Sequence, residues 1–245
     1  LREYLRRRSE AGEEDEVALE AEEQAFVYGG ITLRNIMARS AVGKGPVILM
    51  GAHYDTRRYA DSDPLNPEAP VPGANDGASG VAVLLELARS LDYGALQNEV
   101  WFVFFDGEDQ GGIGGWPWAV GAAHFAANMA TAPSQVIVVD MIGDANQDIY
   151  YEHNSDAQLQ AHLWTIAGDL GYREWFVPVY KHTIIDDHLP FVQMGIRAVD
   201  IIDFDYPYWH TLEDTADKVS AASLERVGRV LETLLEKRPF TEGAE

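Results

Sequence analysis

Short apolar runs without polar alternation constrain the fold of this chain more than any other feature of its sequence. Three such runs occupy residues 47–50, 100–105 and 136–139, and residues 197–202 form a fourth candidate. A strand that is apolar at consecutive positions is covered on both faces, as happens when helices pack on both sides of a parallel sheet. The runs therefore predict the buried strands of one central sheet.

Helical periodicity fills the sequence between these runs. Apolar side chains recur every three or four positions from Val81 to Leu91, and the same spacing returns from Leu224 to Leu234. Residues 117–129 and 156–170 also predict helices. Buried strands that alternate with helices indicate an α/β fold. We expect a three-layer sandwich with a mixed, mostly parallel central sheet flanked by helices.

The N-terminal part of the chain predicts a different local structure. Residues 1–11 predict a short basic helix, and alternating residues on either side of Gly29 and Gly30 predict a β-hairpin. A chain of 245 residues without repeats or a recognisable linker is long enough for one sizeable core. We therefore expect a single domain over residues 1–245, with the helix and the hairpin within residues 1–40.

The charge balance excludes some classes of partner. The chain has 18 Lys and Arg against 40 Asp and Glu, a formal net charge of −22. A field of this sign repels phosphate backbones, so we expect no nucleic-acid partner, whereas metal cations and peptide amino groups are attracted. No apolar run approaches the roughly 18 residues that a membrane helix needs, so no membrane span is predicted. Without cysteine, the chain has no disulfide, thiolate ligand or cysteine nucleophile.

Carboxylates and histidines follow the buried runs, where each predicted strand ends and where ligand sites of such sheets gather. Asp76 is the exception, since it lies in the loop before the first long helix. The whole set comprises His53, Asp55, Asp76, Asp106, Glu108, Asp109, Asp140, Asp144, Asp203 and His210. Asp76 on its own is equally typical of a helix cap. Several buried carboxylates together, however, repel one another and need a cation. Carboxylate and imidazole without thiolate are the ligands of catalytic zinc, with manganese or cobalt as alternatives, so the pattern predicts a metal site.

Several of these residues stand in short motifs that resemble one enzyme family. The motifs, in order, cover residues 53–55, 75–80, 107–109, 140–143 and 209–211. They resemble the zinc exopeptidase family of bacterial leucyl-type aminopeptidases and animal-type glutaminyl cyclases, over residues 26 to 235. The resemblance implies a zinc-exopeptidase-like fold and an enzyme.

The resemblance also implies the ligands of the metal site. In the aminopeptidases of this family two zinc ions share an aspartate, which corresponds to Asp76. One ion would then bind His53 and Asp140, and the other Asp109 and His210. The cyclases keep one zinc, at the positions that match Asp76, Asp109 and His210, and convert N-terminal glutamine or glutamate to pyroglutamate.

The same resemblance implies the catalytic residues. Glu108 matches the general base of the family. At the positions of Glu108 and Asp109 the family usually has two glutamates. The side chain of the implied ligand Asp109 is one methylene shorter than glutamate. Some bacterial cyclases have Glu-Asp at these positions, as this chain does. Residues 186–191 are similar to the cyclase sequence Asp-Asp-His-x-Pro-Phe. This implies that Asp186 and Asp140 belong to a network of catalytic carboxylates.

Aromatic residues also resemble those of the cyclases. The loop after the second ligand motif is longer than in typical aminopeptidases and contains Trp116 and Trp118, and residues 206–211 are similar to Phe-Pro-x-x-Trp-His-Thr. Trp116, Tyr206 and Trp209 are therefore expected to bind the substrate. Ordinary packing is the competing interpretation for each aromatic side chain, and for Trp118 we favour it.

The sequence thus predicts a zinc-dependent glutaminyl-peptide cyclotransferase with one zinc ion, acting on peptide or protein N-termini. A di-zinc aminopeptidase is the alternative, because residues 75–80 resemble the aminopeptidases more closely. A binding module that has lost its ligands is disfavoured, since every ligand position and the base are filled. We also expect a monomer exported to the periplasm or the extracellular space, because relatives are often exported and the chain begins at Leu1 rather than Met.

Overall fold

The computed structural model describes residues 19–40 and 45–241. The strands in these ranges are β1 (Leu19–Tyr28), β2 (Ile31–Ser40), β3 (Gly45–His53), β4 (Asn98–Phe105), β5 (Gln135–Asp140), β6 (Ile149–Glu152), β7 (Phe176–His182) and β8 (Arg197–Ile202). The helices are α1 (Ala78–Ser90), α2 (Val120–Asn128), α3 (Ala157–Asp169), α4 (Leu189–Gln193) and α5 (Ala221–Glu236). The basic helix predicted at residues 1–11 lies outside the described residues.

Six strands form the central sheet, in the order β1-β2-β4-β3-β5-β8. The strands from the apolar runs, β3, β4, β5 and β8, run parallel, and the β1–β2 hairpin extends the sheet by antiparallel pairing. At the hairpin turn, Gly29 and Gly30 have φ of +55° and +81°, a left-handed conformation that glycine adopts at little cost. The predicted hairpin and the mixed, mostly parallel sheet are confirmed.

Successive side chains of the central strands enter two separate cores, which explains why the apolar runs lack alternation. Ile48 and Met50 pack in the core beneath α1, α3 and α5, whereas Leu49 packs in the core beneath α2 and α4. Helices therefore cover both faces of the sheet, and the predicted three-layer sandwich is confirmed. None of the helices in the described ranges has the length and apolarity that a membrane crossing needs.

The sequence patterns do not predict the small second sheet, in which β6 pairs in parallel with β7. β6 is only 4 residues long, and β7 contains Pro178 and Lys181 and is largely exposed, so neither shows a clear apolar period. Trp164 of α3 contacts Tyr151 and Phe176, with ring centroids 5.1 and 5.3 Å apart. Packing on this helix thus stabilises a pairing that the local sequence specifies weakly.

The start of α1 approaches the sheet closely because Gly80 has no side chain. A Cβ atom at this position would lie 2.4 Å from the carbonyl oxygen of Val139 in β5 and 3.0 Å from Cβ of Ala52 in β3. The approach places the loop before α1 against the carboxyl ends of these strands. Asp76 in that loop therefore reaches the edge of the sheet where the other acids lie.

Gly80→Ala is expected to lower the free energy of unfolding by about 1–3 kcal/mol, the usual cost of adding atoms to a packed interior. Gly228→Ala in α5 is the matched control, because its nearest neighbour would be Val83 Cγ1 at 3.8 Å, an ordinary contact. The control should gain up to about 1 kcal/mol from better helix propensity. Urea unfolding of both variants measures the difference, and equal stabilities would contradict the close approach at Gly80.

Candidate metal centre and cleft

A cleft of about 230 Å³ opens at the carboxyl ends of the parallel strands. Its walls include Asp76 from the loop before α1, Glu108 and Asp109 after β4, Asp140 at the end of β5, and His210 in the loop after β8. All of these residues are buried. Parallel strands end at one edge of a sheet, and this topology brings the predicted site residues together.

Asp76, Asp109 and His210 form a first group that could hold a metal ion, with one ligand atom from each within 4.8 Å of the others. His210 Nε2 lies 3.1 Å from Asp109 Oδ1 and 3.6 Å from Asp76 Oδ2. Asp76 Oδ2, Asp109 Oδ2 and His210 Nε2 are buried without a hydrogen-bond partner. Buried polar atoms without partners are costly, so this group has both the chemistry and the unmet demand of a cation site.

Burial also determines the protonation of this group. Burial raises the pKa of the Asp109 carboxyl to about 10, and the neighbouring Asp76 carboxylate contributes to the rise. Burial lowers the pKa of His210 to about 4, so its imidazole is neutral near pH 7. Neutral imidazole is the form that binds metal, and a bound cation would displace the proton from Asp109.

His53, Asp76 and Asp140 form a second group, which shares Asp76 with the first. His53 Nε2 lies 3.1 Å from Asp140 Oδ1 and 3.2 Å from Asp76 Oδ1, and His53 Nδ1 lies 3.1 Å from the carbonyl oxygen of Asp55. Burial lowers the pKa of His53, but the Asp140 carboxylate and the other acceptors outweigh burial and raise it well above its usual value. With acceptors at both nitrogens, His53 is held as an imidazolium.

Asp214 and Tyr206 hold the loop that carries Asp76. The Asp214 carboxylate accepts the backbone N–H groups of Asn75 at 2.8 Å and Asp76 at 3.1 Å, and the Tyr206 hydroxyl donates to Asp214 at 2.8 Å. Tyr206 is only 3% exposed and does not line the cleft. The Tyr206 hydroxyl thus supports the metal-site loop, and substrate binding by Tyr206 stays a prediction from the sequence.

Arg57 and Asp61, which belong to none of the motifs, orient the first group. Arg57 Nη1 donates to the carbonyl oxygen of Asp109 at 3.0 Å, and Arg57 Nε donates to Asp61 Oδ1 at 2.8 Å. The same Asp61 oxygen lies 3.2 Å from His210 Nδ1, which leaves Nε2 to face the first group. Both residues stand in the proline-rich segment 57–75, where nothing in the sequence distinguishes them from ordinary loop residues.

The backbone adopts a left-handed conformation at three non-glycine residues around the cleft. In the described ranges these residues are Ala119 with φ of +56°, Met141 with +45° and His210 with +57°. Met141 follows Asp140, and Ala119 follows Trp118, which lines the cleft. Such conformations cost about 1–3 kcal/mol each and cluster at functional sites.

Glu108 and Asp186 both line the cleft, and both are buried. Burial raises the pKa of Glu108 well above its usual value, and the charge of Asp186 raises it further, against the opposing effect of His53. The backbone N–H of Glu108 donates to Asp55 Oδ1 at 3.1 Å, which fixes the turn after β4. A carboxyl with a raised pKa can bind and release a proton near neutral pH, as a general acid–base group must.

Trp209 and Trp118 supply aromatic walls of the cleft. The Trp209 ring stacks on His210 with 3.7 Å between centroids, and the Trp118 ring lies 6.0 Å from the same imidazole. Trp116, expected to bind the substrate, instead packs edge-on against Tyr28 of the hairpin at 4.8 Å. The structure therefore places Trp118, not Trp116, at the cleft. The two tryptophans share one loop, and the sequence does not determine which of them faces inward.

A third group with ligand-like spacing comprises Asp186, His188 and Asp200, all buried. It is not part of the ligand set that the sequence predicts. His188 Nε2 already faces a carboxylate, since it lies 3.3 Å from Glu152 Oε2. One oxygen of Asp186, both ring nitrogens of His188 and both side-chain oxygens of Asp200 are nevertheless buried without a hydrogen-bond partner, as are atoms of the first group.

Comparison with known proteins finds relatives over most of the chain. A family model described as Peptidase family M28 matches residues 35–235. A glutaminyl-peptide cyclotransferase from Bos taurus is 24% identical over 251 residues, covering 85% of this chain and 67% of the relative. The crystal structure of a Tannerella forsythia glutaminyl cyclase matches with a TM-score of 0.83 at 29% identity, covering 96% of this chain and 88% of its own. A Zn-dependent exopeptidase from Parabacteroides distasonis matches with a TM-score of 0.85 at 27% identity and the same coverage.

The raised carboxyl pKa values predict how the stability of the metal-free protein depends on pH. Burial raises the pKa of Asp140 to about 7 and that of Asp109 to about 10, so the folded chain binds these protons more tightly than the unfolded chain. Their stabilising contribution is complete below the unfolded pKa of about 3.9 and is lost as the pH rises through the folded values. Urea unfolding of chelator-treated protein should therefore show lower stability at about pH 8.5 than at about pH 6.

Two controls accompany this measurement. Asp109→Asn removes one of the carboxyl groups with a raised pKa and should flatten the dependence of stability on pH. Excess zinc, by binding in place of the protons, should flatten it as well. A metal-free protein whose stability rises over this pH interval would show that these carboxyls are ionised in the folded chain.

Proposed function

This chain belongs to peptidase family M28, and from that premise we propose that it is a zinc-dependent glutaminyl-peptide cyclotransferase. The reaction closes the N-terminal glutamine of a peptide into pyroglutamate and releases ammonia. The α-amine attacks the γ-carboxamide of the same residue, so no water molecule takes part. The names of the cyclotransferase relative and of the cyclase structure support the proposal.

The contrast between the two ligand groups carries this proposal. In the first group, Asp76, Asp109 and His210 each leave a buried atom without a partner, whereas His53 and Asp140 are bonded to each other. Of the two ligand groups that the sequence predicts, the first has these partnerless atoms, and this difference supports a single metal ion there. A single ion suffices for cyclisation, because the nucleophile is part of the substrate and only one carbonyl needs to be polarised.

Asp76, Asp109 and His210 would hold the zinc ion, since carboxylate oxygens and a neutral imidazole nitrogen are its usual catalytic ligands. Bound there, zinc would supply a Lewis acid for the γ-carbonyl of the substrate. Asp61 supports this set from outside by keeping the proton of His210 on Nδ1, 3.2 Å away. Such outer partners orient the ligands of most metal sites.

Glu108 is the proposed proton carrier. It accepts a proton from the attacking α-amine and delivers it to the departing amide nitrogen, which leaves as ammonia. Burial and the charge of Asp186 raise its pKa and make Glu108 a stronger base than a carboxylate in water. Asp186 and Asp140 are proposed to belong to the same carboxylate network, with the His53 imidazolium offsetting the charge of Asp140.

Trp209, Trp118 and Phe204 are proposed to enclose the glutamine side chain as it folds back on itself. Cyclisation gains from holding the amine against the carbonyl and from excluding water. Phe204 packs on Trp209 with 5.2 Å between ring centroids, which keeps the indole in place over His210. Trp118 thus takes the substrate-binding role that the sequence analysis assigns to Trp116.

A di-zinc aminopeptidase is the second candidate. The matching family is a peptidase family, and one structural neighbour is a Zn-dependent exopeptidase. His53, Asp76 and Asp140 also have ligand-like spacing, so removal of the His53 proton would open a second site. This enzyme would hydrolyse the first peptide bond instead of closing a ring.

Peptide or protein N-termini are proposed as the substrates of either enzyme. The net charge of −22 attracts a positively charged α-amine to the protein. Export and a monomeric state stay predictions from the sequence.

Two peptides that differ only in their first residue, glutamine or leucine, test the proposal. From the glutamine peptide we expect ammonia and a pyroglutamyl peptide with every peptide bond intact, and from the leucine peptide no product. Mass spectrometry and an ammonia assay measure both outcomes. Release of the free N-terminal amino acid, without pyroglutamate, would establish the aminopeptidase instead.

Glu108→Gln is the control for the chemistry in this assay. The substitution removes the proton carrier but none of the proposed ligands, so the zinc content should not change. The rate should fall by about 10²–10⁴-fold, the usual contribution of general acid–base catalysis. Wild-type turnover would assign the proton transfer to another group, with Asp186 the next candidate.

Zinc titration into the stripped enzyme tests the number of ions. We expect full activity at one equivalent, because His53 is bonded as a cation and does not offer a free nitrogen. His210→Ala should abolish activity, whereas His53→Ala should be much milder. A need for a second equivalent, together with equal damage from the two substitutions, would favour the aminopeptidase.

A further inference from the structure

Residues 183–185, which follow β7, form part of the mouth of the cleft. Of the described residues that line the cleft, Thr183 and Ile185 alone are exposed, whereas the others are buried or half-buried. Ile185 is 58% exposed, and the next residue, Asp186, is only 2% exposed. The chain therefore runs from the solvent into the cleft at this point, and Ile185 stands at the entrance.

The backbone of the intervening residue, Ile184, is held firmly on one side. Its N–H donates to Glu152 Oε1 at 2.9 Å, and its carbonyl oxygen accepts from Asn154 Nδ2 at 2.7 Å. Two positions earlier, the carbonyl oxygen of His182 accepts the N–H of His153 at 2.9 Å. Residues 182 and 184 thus continue the pairing between β7 and the chain after β6. The segment is fixed before any substrate arrives, which lowers the cost of binding.

The backbone groups of Thr183 and Ile185 are unpaired. Among the described residues, none forms a hydrogen bond with the backbone N–H or carbonyl oxygen of either residue. In a strand that is paired along one edge, every second residue directs its backbone groups to the other edge. Thr183 and Ile185 therefore present an open strand edge at the mouth of the cleft, and such an edge is a template for an added strand.

Exposed apolar side chains are concentrated on this part of the chain. In the described ranges 9 large apolar side chains are exposed, and three of them, Val179, Tyr180 and Ile185, fall within residues 179–185. Single exposed apolar residues are ordinary on a protein surface. A group of them beside an open strand edge is typical of a site that binds an extended peptide.

The cleft itself has room for little more than the first residue of a peptide. Its volume of about 230 Å³ is below the range of about 300–1,000 Å³ for sites that enclose drug-sized ligands. Asp186 adjoins Ile185 in the chain, and its charge raises the pKa of Glu108, so the two carboxyl groups are close. A peptide whose α-amine approaches Glu108 thus has its next residues near Ile185.

We propose that residues 183–185 form a subsite for the substrate residues that follow the N-terminal glutamine, and that Ile185 favours a large apolar side chain at the second position. The peptide lies extended along the segment, and its backbone pairs with the free groups of Thr183 and Ile185. The second side chain covers Ile185, which removes apolar surface of both from water. The subsite rests on the proposed function in that the first residue of the peptide lies in the cleft.

Peptide affinity measured without turnover tests the subsite. The zinc-loaded Glu108→Gln protein lacks the proposed proton carrier, and its tryptophan fluorescence reports binding because Trp118 and Trp209 line the cleft. The peptide Gln-Leu-Ala should bind about 3–10-fold more tightly than Gln-Gly-Ala, the effect of burying about half of a leucine side chain. Equal affinities, or no binding of either peptide, would overturn the proposal.

Ile185→Ala in the same background assigns the preference to one side chain. The ratio of the two Kd values should fall close to unity, because the apolar surface that the leucine covers is removed. Ile31→Ala is the matched control, since Ile31 is 51% exposed in the hairpin and does not line the cleft. The control should keep the original ratio. A preference for leucine that survives Ile185→Ala would refute the role of Ile185.

An ester in place of the second peptide bond of Gln-Leu-Ala tests the pairing of the backbone. The replacement removes the N–H of the third residue with little change in shape. Kd should rise by about 2–10-fold, the usual contribution of one hydrogen bond. An ester that binds as tightly as the amide would show that the peptide does not add to the strand.

These measurements separate the subsite from the proposed function. If the wild-type protein forms no pyroglutamate while the Glu108→Gln protein prefers Gln-Leu-Ala through Ile185, the proposed function fails and the subsite stands. An active cyclase whose Glu108→Gln form binds both peptides equally would refute the subsite and leave the proposed function in place.

Discussion

Repulsion among buried carboxyl groups is the constraint on which the rest of this structure depends. Asp76, Glu108, Asp109, Asp140 and Asp186 meet in one cleft at the end of the sheet, and all five are buried. Like charges in an interior are unfavourable unless protons or cations compensate them. The residues around the cleft provide this compensation.

Some carboxyl groups of the cleft lie beside cationic side chains, and others have buried oxygens without a hydrogen-bond partner. The cleft is therefore divided into regions with different chemistry. The His53 imidazolium lies between Asp140 and Asp76, where a two-metal enzyme would need a ligand. The Arg57 guanidinium donates a hydrogen bond to the backbone carbonyl oxygen of Asp109. The first ligand group keeps buried atoms without partners, and there a divalent ion fits best.

The scaffold fixes these groups through contacts that lie outside the cleft. The absence of a side chain at Gly80 lets α1 approach β5, and Asp214 holds the loop before α1 by two backbone N–H groups. Left-handed backbone at Met141 and His210 turns the chain sharply beside the ligands. Such strain persists only where surrounding packing fixes the geometry, and the double-sided core of the sheet provides that packing.

Local sequence determined the layers of the fold and the kinds of residue at its site. The spacing of apolar residues indicates how many faces of a helix or strand are covered. Because parallel strands end at one edge of a sheet, the acids and histidines that follow them lie at that edge. Tertiary structure alone decided which side chains touch. Asp214 stands 139 positions after Asn75, whose N–H it accepts. Trp116 and Trp118 share a loop yet face different ways, and Tyr206 turns from the cleft that Trp209 lines. These contacts form between loops that follow different strands, and no local sequence pattern predicts how such loops pack together.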